Sequence, residues 1–236
     1  MNKRGFTLAE VLITLGIIGV IAAMTVPTLM NNSTEIEFRS AFKKGLASLN
    51  QAVTMNVALD SVDFDSLTSN VVNNTEADSL YALIANRMST TKFLDTNNDS
   101  TDARLLNIGQ VAHVGLGNTA DNSTNSGNGN VAMFFTDGSC IIWNPTKGTA
   151  WTDPQSKIQG IRVIWDVNGN KKPNRLSWCD TAAVRGQKDK ITKPTEDKKG
   201  PCTDDNIVIR DQFSVLLKGN RAIPNGKAAH YLFYMK

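Results

Sequence analysis

The chain has 236 residues, enough for one large domain or two small ones, and its 41% hydrophobic and 20% charged residues are ordinary for a globular protein. Its formal net charge of +3 does not favour nucleic acid or an anionic membrane surface as a partner of the whole chain. The three cysteines, Cys140, Cys179 and Cys202, form no C-x-x-C pair and both histidines lie far from them, which argues against a zinc site.

The N-terminus differs sharply from the rest of the chain. Lys3 and Arg4 precede an apolar run over residues 6–30, and no charged residue occurs between Glu10 and Glu35. As a helix this run is roughly 37 Å long, which is enough to cross a hydrocarbon core of about 30 Å. Basic residues before a span favour a cytoplasmic N-terminus. The sequence therefore predicts a single-pass protein with its larger part outside the cytoplasm.

Three interpretations of this segment compete. A secretory signal peptide would be cut after a short apolar stretch, and Ala22 and Ala23 imitate such a site, but the run continues past them and contains Glu10. A plain signal anchor explains the length of the run but not its carboxylate. Inserting an ionisable side chain into the membrane costs roughly 2.5–3.5 kcal/mol at the centre of a span and less near an end. A residue kept in spite of this cost indicates a functional role.

The stretch Gly5-Phe6-Thr7-Leu8-Ala9-Glu10, followed by the apolar run, resembles the class III signal of the type IV pilin family, which includes the pseudopilins of type II secretion. The resemblance implies that a prepilin peptidase cuts between Gly5 and Phe6 and N-methylates the new Phe6 amine. It also implies that Glu10 faces the N-terminal amine of a neighbouring subunit in a filament. Pro27 lacks an N–H and is expected to kink or loosen the helix near its outer end, and similar prolines occur in the family.

The same resemblance implies a non-enzymatic filament subunit, either a pilin or a pseudopilin. Its partners would be other such subunits, the prepilin peptidase, membrane lipid, and an inner-membrane assembly platform with a cytoplasmic ATPase. It would lie in the inner membrane with its head outside the cytoplasm, and then in a periplasmic or cell-surface filament. Two alternatives stay open: a minor pilin at the filament tip that binds a surface, a substrate or DNA, and a membrane-anchored enzyme that borrows the signal. No catalytic motif supports the enzyme.

Residues 31–60 are expected to continue the same helix in amphipathic form. Apolar residues recur there at intervals of three or four, which places them on one helical face. The chain then divides into a leader (1–5), a span (6–30), the amphipathic continuation (31–60) and a globular head (61–236). The stripe comprises Phe38, Phe42, Leu46, Leu49, Val53 and Val57.

The head reads as a second helix followed by strands, with a polar loop over residues 116–130. Asp137-Gly138 is a two-residue hairpin signal between two strands. Together these elements predict an α+β fold, a long N-terminal helix packed on an antiparallel sheet, which is also the plan of pilins. The predicted helix covers 76–88, and the predicted strands cover 131–136, 139–143, 159–167, 212–217 and 229–235.

Cys179 and Cys202 bracket a charged insertion at about 178–206. Of the three pairings we favour this one, which would close a loop of about 24 residues and stabilise by roughly 3 kcal/mol in the chain-entropy model. Cys140 is then a buried free thiol on a strand. The lysines of the insertion alternate with acids, which favours a solvated loop over a DNA-binding surface.

One polar stretch has the alternating oxygen side chains of a calcium loop, at Asp95, Asn97 and Asp99. It lacks the turn glycine and the distal glutamate of an EF-hand, so a polar turn is the competing interpretation, although some pseudopilins bind calcium in the head. A similar group at Asp166, Asn168 and Asn170 is better explained by a turn with Asx hydrogen bonds. No other cofactor is expected.

Overall fold

The computed structural model describes the N-terminal helix and the elements of a sheet. The residues that it describes are 7–62, 64, 80–95, 131–143, 151–152, 159–169, 171, 176–179, 202–203 and 207–234. The predicted loop at 116–130 and most of the charged insertion lie outside them.

Helix α1 spans Leu8–Asp60 and includes Pro27. This confirms the predicted long helix to within two residues. The chain divides into two compact units, Met1–Glu37 and Phe38–Lys236. In the second unit, the predicted stripe is buried from Phe38 to Val53, and Val57 is partly buried against the same core.

The C-terminus of α1 carries a strained residue. Ser61 has a φ of 55°, in the left-handed region that favours glycine, and Val62 N donates to the Asn56 carbonyl at 3.4 Å. We expect Ser61→Gly to raise the free energy of unfolding by about 0.5–1 kcal/mol, because glycine adopts this conformation without steric cost. Chemical denaturation of the full chain in non-ionic detergent measures the change.

Ser48→Gly is the matched control for that substitution. Ser48 is exposed within α1, where glycine lowers stability by a few tenths to about 1 kcal/mol. Equal losses from both substitutions would contradict the assignment of strain to Ser61.

The head contains nine strands and two further helices among the described residues. Six strands form one antiparallel sheet in the order β1-β2-β3-β5-β8-β9, β4 also pairs with β5, and β6 pairs separately with β7. The elements are β1 (Thr90–Asp95), β2 (Val131–Phe135), β3 (Cys140–Trp143), β4 (Trp151–Thr152), β5 (Gln159–Asp166), β6 (Trp178–Cys179), β7 (Ile207–Val208), β8 (Gln212–Lys218), β9 (Arg221–Pro224), α2 (Leu80–Ala85) and α3 (Lys227–Tyr234).

The predicted hairpin between β2 and β3 is confirmed, but its loop has three residues rather than two. Phe135 N donates to the Ser139 carbonyl at 2.9 Å, so these residues flank the turn. Gly138 has a φ of 88°, and Asp137 Oδ1 accepts the Ser139 N–H at 3.0 Å. A glycine with positive φ in the last loop position is typical of three-residue hairpins.

The prediction of a final strand at 229–235 is wrong, because this segment forms helix α3. Gly226, with a φ of 81°, turns the chain just before the helix. Ala228, Ala229 and Leu232 are buried, a spacing of three to four residues that suits one helical face. Strand β9, which the sequence did not predict, closes the sheet instead. The predicted second helix is described only from residue 80, as α2, and ends at Ala85 rather than at residue 88.

Two side chains of α1 complete the β8–β9 hairpin. Asn50 Oδ1 accepts the Ala222 N–H at 2.9 Å, and Thr54 Oγ1 donates to the Asn220 carbonyl at 3.1 Å. Strand β9 lies at the edge of the sheet. The helix therefore supplies hydrogen-bond partners for backbone groups that a further strand would otherwise pair.

Both faces of the sheet are buried. Trp165 and Phe213 face α1, where the Phe42 and Phe213 rings stack with centroids 4.2 Å apart. Because side chains alternate along a strand, the opposite face carries the intervening residues. Its buried members are Leu94, Ala132, Cys140, Ile142, Ile164 and Leu176.

Candidate functional site

The N-terminal part of α1 exposes a continuous apolar surface. The segment Leu8–Pro27 is 20 residues long with a mean hydropathy of 2.2, long and apolar enough to cross a membrane. Every Leu, Ile, Val and Met side chain from Leu8 to Met30 is exposed, from 45% at Val11 to 78% at Leu8. So large an apolar surface needs lipid or other helices around it.

Gly16 and Gly19 leave gaps in this surface. A Cβ atom at either position would meet no atom within 4 Å. Small residues on a membrane helix allow the backbone of another helix to approach closely. At these two positions, another helix could approach the backbone of α1 closely.

Glu10 takes part in a capping box at the start of α1. Its Oε2 atom accepts hydrogen bonds from both the backbone N and the Oγ1 of Thr7, each at 2.8 Å. In return, Glu10 N donates to Thr7 Oγ1 at 3.3 Å. Two otherwise unsatisfied backbone N–H groups at the helix start are thus paired.

Thr7 is a residue of this site that was not predicted from the sequence. Its signal was the S/T-x-x-E pattern of Thr7 and Glu10, which marks a helix start. Of the other predicted site residues, Gly5 and Phe6 lie outside the described residues. Pro27 lies inside α1, where its missing N–H leaves the carbonyl four residues earlier without its helical partner.

The predicted disulfide between Cys179 and Cys202 is confirmed, with Cα atoms 5.6 Å apart. Cys179 and the β7 residue Ile207 both belong to the core that α1 and the sheet share. The bridge therefore ties the described ends of the charged insertion to that core. Cys140 is a buried free thiol on β3, as predicted.

The candidate calcium residues are only partly described. Asp95 is the last residue of β1, opposite Val131, whereas Asn97 and Asp99 lie outside the described residues. No group of three or more His, Cys, Asp or Glu side chains that could hold a metal ion occurs in the part of the chain that the structure describes. The predicted Asx turn is present, because Asp166 Oδ1 accepts the Asn168 N–H at 3.1 Å.

Comparison with known proteins places a known signal on this same segment. Residues 1–26 match the family described as the prokaryotic N-terminal methylation motif. No curated protein and no solved structure matches the chain. The match covers Gly5, Phe6, Glu10 and most of the exposed apolar helix.

Proposed function

We infer that this chain is the precursor of a structural subunit of a pilus-like filament. The basis is its N-terminal methylation motif, which is the signature of type IV pilins and pseudopilins. In this proposal, prepilin peptidase removes residues 1–5 and methylates the new amine of Phe6. Helix α1 stays on the mature chain and anchors it in the inner membrane. The head lies outside the cytoplasm, in either a type IV pilus or a type II secretion pseudopilus.

The exposed apolar surface of Leu8–Pro27 supports the inference from the motif. A cleavage before Phe6 keeps this surface, whereas an ordinary signal peptidase would remove most of it. Once kept, it is covered first by lipid and then by the same helix of other subunits. In this proposal, each subunit uses one surface of the helix to contact a different surface on the next subunit. Such a contact, when it does not close into a ring, builds a filament.

Assembly would then be an exchange of one apolar environment for another. Lipid and neighbouring helices are about equally apolar, so the hydrophobic effect alone gives little drive. The work of extraction is assigned to a cytoplasmic ATPase that acts through a membrane platform. Specificity would come from close packing at Gly16 and Gly19 and from the charge of Glu10.

We expect the precursor, expressed together with a prepilin peptidase, to lose residues 1–5 and gain one methyl group. Intact-mass measurement of the membrane-extracted protein tests this result. Gly5→Val should block cleavage, because a branched side chain does not fit where a residue without Cβ is required.

A double substitution of Ala22 and Ala23 by Leu is the matched control. It destroys the small-residue site that a secretory signal peptidase would need, and it should leave the cut after Gly5 unchanged. A mature chain that begins after Ala23, and that disappears in this double variant, would overturn the proposed function.

A further inference from the structure

Three polar side chains form a row across the buried face of the sheet that points away from α1. Cys140 on β3 is opposite Asp166 on β5, and Asp166 is opposite Gln212 on β8. Directly opposed side chains on adjacent strands lie on one face and in contact distance. All three residues are fully buried.

Only uncharged donors are recorded at the Asp166 carboxyl group in the described residues. Its Oδ1 accepts the N–H groups of Asn168 at 3.1 Å and Gly169 at 2.8 Å. Its Oδ2 accepts Gln212 Nε2 at 2.8 Å. The Oε1 of the same Gln212 amide is buried without a hydrogen-bond partner in the described part of the chain. An unsatisfied buried acceptor of this kind costs stability.

The charged and titratable groups around Asp166 come from several elements. Asp211 precedes β8, and Cys140 lies on β3. Burial, and then the Asp211 carboxylate, raise the pKa of Asp166 well above its ordinary value, and they outweigh the three hydrogen bonds that lower it. Burial, Asp166 and Asp211 also raise the pKa of Cys140, which keeps it a thiol.

Two of the basic side chains near this row have other recorded contacts, and a third is exposed. Arg162, on the same strand, donates from Nε to Ser214 Oγ at 3.0 Å, and Arg210 donates from Nη1 to the Ile209 carbonyl at 3.1 Å. Lys171, just after the Asx turn, is exposed. None of the three enters the hydrogen bonds recorded for the Asp166 carboxyl.

We propose that Asp166 keeps its proton in the folded head at neutral pH and donates it from Oδ2 to Oε1 of Gln212, which makes the head a pH-sensitive element of the subunit. Oδ2 carries the proton because Oδ1 already accepts two backbone N–H groups. A half-turn of the Gln212 amide places Oε1 where Nε2 now lies, 2.8 Å from Oδ2. The buried acceptor then gains a donor, and Nε2 moves to the position that Oε1 leaves, so the amide exchanges one hydrogen bond with Oδ2 for another. The proposal does not depend on filament assembly.

The sign of the resulting pH dependence follows from linkage. An unfolded Asp has a pKa of about 3.9, and the folded value lies above it. The stabilisation is complete below the unfolded value and is lost as the pH rises through the folded value. Within that window, one bound proton changes the unfolding equilibrium by up to about tenfold per pH unit.

Unfolding of the full mature chain in non-ionic detergent tests the proposal, with tryptophan fluorescence as the signal and about pH 4 to about pH 9 as the range. We expect the wild type to lose stability with rising pH relative to Asp166→Asn, which is neutral at every pH. Asp137→Asn, at an exposed turn, controls for the change of a carboxyl to an amide. Equal pH dependence in the wild type and Asp166→Asn would overturn the proposal.

If Asp166→Asn does not fold, infrared spectroscopy of the wild type tests the protonation of the buried carboxyl group directly. The wild type should show the C=O band of a buried protonated carboxyl at neutral pH, and the band should fade as the pH rises. Absence of this band at neutral pH would refute the proposal. Stabilisation by Ca²⁺ of the wild type but not of Asp166→Asn would also refute it, since a metal ion would then hold the place of the proton.

Discussion

Glu10→Ala is expected to be cleaved and methylated normally but to enter filaments at least about tenfold less well than the wild-type chain. Removing one partner of a buried ion pair costs about 3–5 kcal/mol, because the other charge stays buried and uncompensated. Here the remaining charge would be the N-terminal amine of a neighbouring subunit. The ratio of subunit in sheared filaments to subunit in membranes, measured by immunoblot, gives the effect.

The capping box of Thr7 and Glu10 refines the physical reason for this effect. In the isolated helix, the Glu10 carboxylate already accepts two hydrogen bonds from Thr7. In a misplaced subunit, Glu10 would therefore not be wholly unsatisfied, because its carboxylate would keep the hydrogen bonds from Thr7. The register preference is the difference between an ion pair with a neighbour and these hydrogen bonds, which is smaller than the cost of an isolated charge.

Two variants separate charge from shape in this experiment. Glu10→Gln keeps the size of the side chain and should lose assembly as Glu10→Ala does. Ile13→Ala removes a similar volume from the exposed part of the same helix and should assemble far better than either. Normal co-assembly of Glu10→Ala with wild-type subunits would contradict the role of Glu10 in register.

Local patterns predicted the parts of the fold that depend on nearby residues. The stripe from Phe38 to Val53 repeats with the helical period, and it is buried as expected. The hairpin at Asp137-Gly138 was found from its turn residues, and only the loop length was wrong. The disulfide was favoured because Cys179 and Cys202 bracket one charged segment.

Elements fixed by distant partners were missed. Strand β9 contains Arg221 and Pro224, which read as a poor strand, and its edge is completed by Asn50 of α1, 172 residues earlier. Strand β1 includes Lys92 and Asp95 and is set by pairing with β2. Tertiary pairing overrides weak local preference in both cases.

The functional residues also divide into those that could be predicted from the sequence and those that could not. Gly5, Phe6 and Glu10 could be predicted because their motif is contiguous in sequence. The row of Cys140, Asp166 and Gln212 could not, since it depends on the registers of three strands that are far apart in the chain. A one-residue slip in either pairing would put these side chains on opposite faces.

The close contact between Gly45 of α1 and Trp165 of the sheet predicts the largest loss of head stability among these variants. A Cβ atom on Gly45 would lie 2.6 Å from Cζ2 of Trp165, far inside van der Waals contact. The indole cannot easily retreat, because Phe135 stacks on it with ring centroids 5.2 Å apart. Alanine should gain up to about 1 kcal/mol in helix propensity but lose about 3 kcal/mol to overpacking. We therefore expect Gly45→Ala to lower the free energy of unfolding by about 2 kcal/mol.

A double-mutant cycle with Trp165→Phe isolates this contact, with unfolding of the full chain in detergent followed by circular dichroism. Phenylalanine lacks the outer indole atoms that a Cβ on Gly45 would meet, and it also removes Nε1, which is buried without a hydrogen-bond partner in the described residues. Gly45→Ala should then cost at least about 1 kcal/mol less in the Trp165→Phe background, because contacting residues are not additive. Ser48→Ala, at an exposed position of the same helix, should be neutral or stabilising. Additive losses from Gly45→Ala and Trp165→Phe would mean that this contact does not fix the distance between helix and sheet.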